Sequence, residues 1–175
     1  RLELPGDGKI LSLAEVEVLS DGGNLARKGK ASQSSTAYEG EASRAIDGNT
    51  DGHYFNARST THTAPEKDPW WEVDLGSPSV LESIVLWNRT DGAGERLANF
   101  RLVLLDGSRS EVWSSAVAGP PSPKLEVPVS GRRPIPLRKA SADFSQSGFG
   151  IENALGPKDL GENGWAVQPQ VGKPH

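Results

Sequence analysis

The densest chemistry in the chain is Asn88-Arg89-Thr90-Asp91-Gly92-Ala93-Gly94-Glu95-Arg96, where two guanidinium groups and two carboxylates surround small residues. Arginines on a loop can grip a ligand through several donors. The same composition suits a solvated connector whose charges pair with one another, so the pattern alone leaves both readings open. A second candidate is Ala42-Ser43-Arg44-Ala45-Ile46-Asp47-Gly48-Asn49-Thr50-Asp51-Gly52. One helical turn burying Ala45 and Ile46 leads into tight Asp-Gly and Asn-Thr-Asp-Gly turns, which aim carbonyls and carboxylates inward as a hard cation such as Ca²⁺ requires. The oxygen spacing is not that of an EF-hand, and Asx turns without metal fit the same residues. The third candidate is His62 in Ser59-Thr60-Thr61-His62-Thr63, either a ligand contact or an ordinary hydrogen-bonded histidine. No carboxylate pair sits in a motif for general acid and base work, and no nucleophile elbow or metal triad is visible, so the chain does not read as an enzyme.

The elements that must position these residues are strands. Ser83-Ile84-Val85-Leu86-Trp87 precedes the charged loop and Phe100-Arg101-Leu102-Val103-Leu104-Leu105 follows it, which hangs the loop on one rigid scaffold. In Pro69-Trp70-Trp71-Glu72-Val73-Asp74-Leu75-Gly76 the alternation puts Trp71, Val73 and Leu75 on the core face. Arg1-Leu2-Glu3-Leu4, a Pro5-Gly6-Asp7-Gly8 turn and the run from Leu11 to Val18 predict a hairpin, with a bulge at Ala14-Glu15 where the alternation breaks. Asp106-Gly107-Ser108-Arg109 reads as a hairpin turn, and Pro128 confines the run from Lys124 to Val129 to an edge or marks its end. Twenty glycines and thirteen prolines, with few helical periods, make the chain all-β.

The net charge of -4 leaves no basic stripe for nucleic acid. No apolar run approaches the roughly 20 residues of a membrane span. With no cysteine there is no disulfide framework, thiolate zinc site or cysteine nucleophile. The lack of methionine and a first residue already inside a strand-like run suit an excised or processed fragment. Residues 1–130 are the expected main domain. Ser130-Gly131-Arg132-Arg133-Pro134-Ile135-Pro136 has linker composition, and residues 131–175 are either a packed extension or the truncated start of a second β domain.

Taken in order, Asn24-Leu25-Ala26, Ala45-Ile46-Asp47-Gly48-Asn49-Thr50, Ser59-Thr60-Thr61-His62-Thr63, Pro69 to Gly76 and Asn88-Arg89 to Glu95-Arg96 resemble the F-type lectins, or fucolectins. These are a branch of the discoidin-like, galactose-binding-like jelly rolls. The resemblance spans roughly the first 130 residues. It implies a jelly-roll β-sandwich acting as a non-catalytic carbohydrate-binding module. The implied ligand is L-fucose or a related sugar on a fucosylated glycan, held by one histidine and two arginines, with a structural Ca²⁺ nearby. By motif these are His62, Arg89 and Arg96; Asp91 and Glu95 would hold the arginines, and Tyr54 and Phe55 would form part of an apolar wall. Guanidinium and imidazole groups would donate to vicinal hydroxyls and the ring oxygen.

Two features depart from that pattern. Gly92 and Ala93 stand where the family usually carries adjacent cysteines whose disulfide packs on the sugar ring, leaving a smaller platform and a less constrained loop. The run from Leu11 to Val18 resembles the family's last strand, yet it opens this chain. Either the domain is circularly permuted, or the run ends a preceding domain; no segment between Val129 and the linker replaces it, which favours permutation. Permuted, the implied calcium ligands are the carbonyls of Arg44, Asn49 and Ala14, the carboxylates of Asp47 and Glu15, and Ser59 through hydroxyl and carbonyl. The resemblance further implies a bacterial protein, secreted, periplasmic or at the cell surface, in which the module works beside other domains without nucleic acid or membrane insertion. A lectin-like domain that has lost its sugar and serves as a structural or protein-docking module is the alternative.

Overall fold

The computed structural model describes residues 1–21 and 23–129; the strand candidates read in the tail lie outside these. The described residues carry nine strands: β1 (Leu2–Glu3), β2 (Glu15–Ser20), β3 (Gly23–Asn24), β4 (Lys30–Gln33), β5 (Trp70–Asp74), β6 (Ser83–Trp87), β7 (Phe100–Leu105), β8 (Glu111–Val117) and β9 (Lys124–Pro128). One sheet runs β4-β5-β1-β7-β8 and the other β3-β2-β6-β9, with antiparallel neighbours throughout. This is the expected all-β sandwich.

Alternation accounts for the core. Trp71 is 2% exposed, with Val73 and Leu75 packed behind it. On the opposite face of β5, Trp70 lies under the Arg1 guanidinium, and Glu72 pairs with Arg1 and Arg109. Phe100, Leu102, Leu2, Val16, Val18 and Leu86 complete the apolar layer between the sheets. As its proline requires, β9 is an edge strand, pairing with β6. The turn after β7 closes a hairpin in which Asp106 Oδ1 accepts from the backbone N–H of Ser108 and Ser110.

The N-terminal expectation needs correction. β1 and β2 do not form a hairpin: β1 sits between β5 and β7 in one sheet, while β2 sits between β3 and β6 in the other. The connection has to cross the sandwich because Leu4, Leu11 and Leu13 are all fully buried, which a surface turn would not allow. The bulge expected at Ala14-Glu15 does form. The Trp87 carbonyl accepts from Ala14 N–H although Glu15 is the residue paired with Trp87, so two residues oppose one, and the ladder is regular from Glu15 onward. The extra residue is why the alternation breaks there, with Ala14, Glu15 and Val16 all buried. Both N-terminal strands are therefore interior strands of this same sandwich.

Two core contacts reach the site loops. Trp71 Nε1 donates to the Ala42 carbonyl at 3.0 Å, pinning the 3-10 turn Ala42–Ile46 that delivers Asp47. Leu97, 2% exposed, anchors a second 3-10 turn, Gly94–Leu97, between β6 and β7.

Candidate functional site

His62 is held from both sides. The chain from Leu11 to Leu13 lies along residues 61–63: Leu11 and Leu13 N–H donate to the hydroxyls of Thr63 and Thr61, whose own N–H groups donate back to the Leu11 and Leu13 carbonyls. On the other side His62 N–H donates to the Gly40 carbonyl, and Ala37 N–H donates to the His62 carbonyl. Gly40 is required by closeness, since a Cβ there would lie 2.4 Å from His62 N. The ring is 5% exposed, and its Nδ1 lies 2.7 Å from the Thr63 carbonyl. A carbonyl can only accept, so Nδ1 carries the proton and the neutral ring offers Nε2 as an acceptor. Burial lowers the His62 pKa from 6.5, and the charges of Arg89 and Arg96 lower it further, against the bond to Thr63. This reverses the expected role: the imidazole accepts rather than donates.

Arg89 is equally fixed. Its Nε and Nη2 form a two-point contact with Asp91 at 2.9 and 2.6 Å, both side chains being almost completely buried. The same contact is the main reason the Asp91 carboxyl titrates below its usual range. Asp91 Oδ2 also accepts from Tyr54 N–H, and the Arg89 guanidinium carbon lies 4.9 Å from the Tyr54 ring centroid. The Tyr54 ring is in turn 5.9 Å from that of His62. Gly52 closes the back of the loop: its carbonyl accepts from Thr90 N–H, and a Cβ there would lie 2.3 Å from the Asn88 carbonyl oxygen.

His62, Arg89, Asp91 and Tyr54 thus meet at one end of the sandwich, with the Arg96 charge felt at His62. Phe55 is more peripheral, 74% exposed with its ring edge-on to Tyr54 at 5.3 Å. Glu95 does not hold an arginine. It is exposed, and neither it nor Arg96 has an ion-pair partner among the described residues. Sequence reasoning missed Tyr38, whose ring stands edge-on to His62 at 5.0 Å and whose carbonyl accepts from the Tyr54 hydroxyl. A lone tyrosine beside Glu-Gly in a polar stretch was the available signal.

The cation candidates gather beneath this site. Glu15 is 1% exposed; Oε1 accepts from Gly48 N–H at 3.0 Å, while Oε2 is buried with no hydrogen-bond partner among the described residues. Burial raises its pKa to about 7, and the neighbouring Asp47 and Glu17 charges add to the rise, against the Gly48 bond and Arg27. The Asx turns form as expected: Asp47 accepts from Asn49 N–H, Asn49 from Asp51 N–H and Asp51 from His53 N–H. The Ser59 hydroxyl donates to the Asp51 carbonyl, and the Arg44 backbone lies in the 3-10 turn just before Asp47. The described residues contain no group of three or more His, Cys, Asp or Glu side chains fit for a metal, so any cation here depends on backbone carbonyls as well. An orphaned, buried carboxylate oxygen close to a second carboxylate fits a hard cation.

Residues 44–117 match a family model described as a NedA-like, galactose-binding domain. A fucose-binding module from Streptococcus pneumoniae superposes with a TM-score of 0.59 at 36% identity, over 65% of this chain and 80% of that one. The lectin domain of lectinolysin, solved with Lewis B antigen, gives 0.57 at 44% identity, over 59% and 74%. The chain belongs to the F-type lectin family. The Anguilla anguilla fucolectin is 41% identical over 80 residues, 43% of this chain and 50% of that protein, so the chain spans about half the length of the eel relative. As an F-type lectin domain of the galactose-binding, discoidin-like fold, it is a non-catalytic module. The family-model match begins after β1 and β2, the two interior strands that open this chain.

Proposed function

We propose that this domain binds L-fucose or a closely related sugar on fucosylated glycans through His62, Arg89 and Arg96. The observation that carries the reading is the convergence of a buried, Asp91-locked Arg89 over the Tyr54 ring with an acceptor Nε2 on His62, which also feels the Arg96 charge. Asp91 occupies one edge of the Arg89 guanidinium and leaves Nη1 for a ligand. A sugar hydroxyl can donate to His62 Nε2 while accepting from an arginine, and a vicinal hydroxyl or the ring oxygen can accept from the other arginine. A sugar's apolar face can rest against the Tyr54 and Phe55 side, where adjacent cysteines are lacking. The S. pneumoniae relative is a fucose-binding module and the lectinolysin domain was solved with Lewis B antigen, which supports fucose and fucosylated glycans as the ligand class.

A structural Ca²⁺ belongs to the same reading. The carboxylates of Glu15 and Asp47, the carbonyls of Ala14, Arg44 and Asn49, and Ser59 would hold it. When bound, the ion would neutralise the buried Glu15 and brace the loop that runs into His62. β1 and β2 at the start of the chain are read as the consequence of a circular permutation, and the module as one that works outside the cytoplasm, where glycans are displayed.

Calorimetric titration of L-fucose into the calcium-loaded protein tests the function. Binding is expected at micromolar to millimolar strength, and Arg96→Ala should remove it while leaving the thermal midpoint unchanged, because Arg96 is exposed and has no ion-pair partner among the described residues. No heat with L-fucose at millimolar concentration in the wild type would overturn the reading.

A further inference from the structure

Arg27 lies against the calcium candidates without belonging to them. It stands in the 3-10 turn Ala26–Lys28, whose backbone is tied to β2. Leu25 N–H donates to the Val18 carbonyl at 2.8 Å, Asn24 Oδ1 accepts from the N–H groups of Val18 and Ala26, and Ala26 is fully buried. From that anchor the guanidinium reaches Gly48. A Cβ built on Gly48 would overlap Arg27 Nη1 and lie 2.7 Å from Cζ, so the guanidinium rests directly on the Gly48 backbone. Only a residue without a side chain permits this, and φ +83° at Gly48 favours glycine independently.

Gly48 joins Asp47 to Asn49, and its N–H donates to Glu15 Oε1 at 3.0 Å. The guanidinium is therefore packed on the peptide that ties the two candidate carboxylates together. Its charge acts favourably on ionised Glu15, against the charges of Asp47 and Glu17, which face the same group. Arg27 nonetheless makes no ion pair among the described residues, so it leaves the carboxylate oxygens uncovered. A positive charge held there acts in two directions. It offsets part of the cost of buried negative charge when no ion is present, and it repels a divalent cation that approaches the same oxygens.

We propose that Arg27 is a built-in counter-cation of the calcium site, supporting Glu15 and Asp47 when the site is empty and setting the calcium affinity because the ion must bind against its charge. The proposal rests on the calcium reading above. It makes the module one that stays folded without calcium and fills at a higher calcium concentration than its oxygen ligands alone would require.

The test follows the thermal midpoint against calcium concentration at pH 8 for the wild type, Arg27→Gln and Arg27→Lys, with chelator as the calcium-free reference. Arg27→Gln removes the charge and keeps a polar side chain. It should bind calcium on the order of tenfold more tightly, the effect of one unit charge near a divalent ion at a partly screened site, and should melt a few degrees below the wild type in chelator. Arg27→Lys keeps the charge and should follow the wild type in both respects. If Arg27→Gln binds calcium no more tightly than the wild type, or if Arg27→Lys and Arg27→Gln shift alike, packing on Gly48 rather than charge is at work; the proposal is then overturned while the calcium site stands. If calcium moves the midpoint of none of the three proteins, the calcium reading fails and the proposal with it.

Discussion

Glu15 provides the sharpest quantitative test of the proposed calcium site. In the calcium-free fold its pKa is raised from the ordinary 4.5 to about 7, chiefly by burial. At 1.36 kcal/mol per pH unit, ionising it in place costs about 3 kcal/mol. Because the folded value lies above the unfolded one, the calcium-free fold binds the extra proton. Its stability from this group is full below about pH 4.5 and is lost as pH rises through about 7. Glu15→Gln keeps the Gly48 N–H bond through its carbonyl and removes the titration. Without calcium at about pH 8 the variant should be more stable than the wild type by about 3 kcal/mol, or about 10 °C in thermal midpoint for a domain of this size. Near pH 4.5 the two should coincide. Adding calcium at pH 8 should reverse the order: the wild type gains several degrees because the ion neutralises the carboxylate, and the variant gains little. Differential scanning calorimetry over a pH series, with chelator or with calcium, reads all four conditions. Equal responses to calcium in the two proteins, or a stability difference that does not change with pH, would refute the link between this buried carboxylate and a cation.

Three further outcomes are expected. Asp91→Ala leaves a buried guanidinium unpaired, so it should destabilise by about 3 kcal/mol and weaken L-fucose binding together, seen by melts and titration. Affinity for L-fucose should be level above about pH 7 and fall as pH drops below the ordinary histidine range, because protonating His62 removes the Nε2 acceptor and adds a third positive charge beside two arginines; titrations across pH on Arg89-intact protein check the sign. Gly40→Ala would place a Cβ 2.4 Å from His62 N, so it should cost about 2 kcal/mol and lower affinity by displacing the ring, measured by the same two methods.

The strands carrying the site were legible wherever one face is buried and the other solvated. β5 shows it best: Trp71 and Val73 point inward, while Trp70 and Glu72 take the ion-pair network outside. The same rule misled at the N-terminus, where Leu4 and Leu11 are buried in the crossing between sheets rather than in a hairpin. Alternation cannot distinguish those cases, since both place apolar residues every second position. Glu95 was misread for a local reason. It adjoins Arg96 in sequence, but in the 3-10 turn Gly94–Leu97 successive side chains point roughly 120° apart, so neighbours in sequence do not face one another. Tyr38 was missed because its place beside His62 depends on a left-handed backbone, φ 51° at Tyr38 and 59° at Glu39, and a lone tyrosine before Glu-Gly does not by itself signal that conformation.

The loop that lacks the family's cysteines is stiff at its ends and open in its middle. Asn88, 2% exposed, ties those ends together: its Nδ2 donates to the carbonyls of Gly94 and Pro121, its Oδ1 accepts from Arg89 N–H, and its own N–H donates to the Pro123 carbonyl. Gly92 has φ +88° and open space around any added Cβ, while Ala93 beside it is half-buried. The two arginines therefore enter binding unequally. Arg89 is already oriented by Asp91, Tyr54 and burial, and its ordering entropy has been lost in folding. Arg96 is exposed and has no ion-pair partner among the described residues, so a sugar would order it at about 0.5 to 1.5 kcal/mol. A disulfide at the tip would have reduced that cost by stiffening the approach to Arg96. In its absence the sugar's own contact has to order this half of the site, so Arg96 should contribute less to L-fucose affinity than the pre-oriented Arg89.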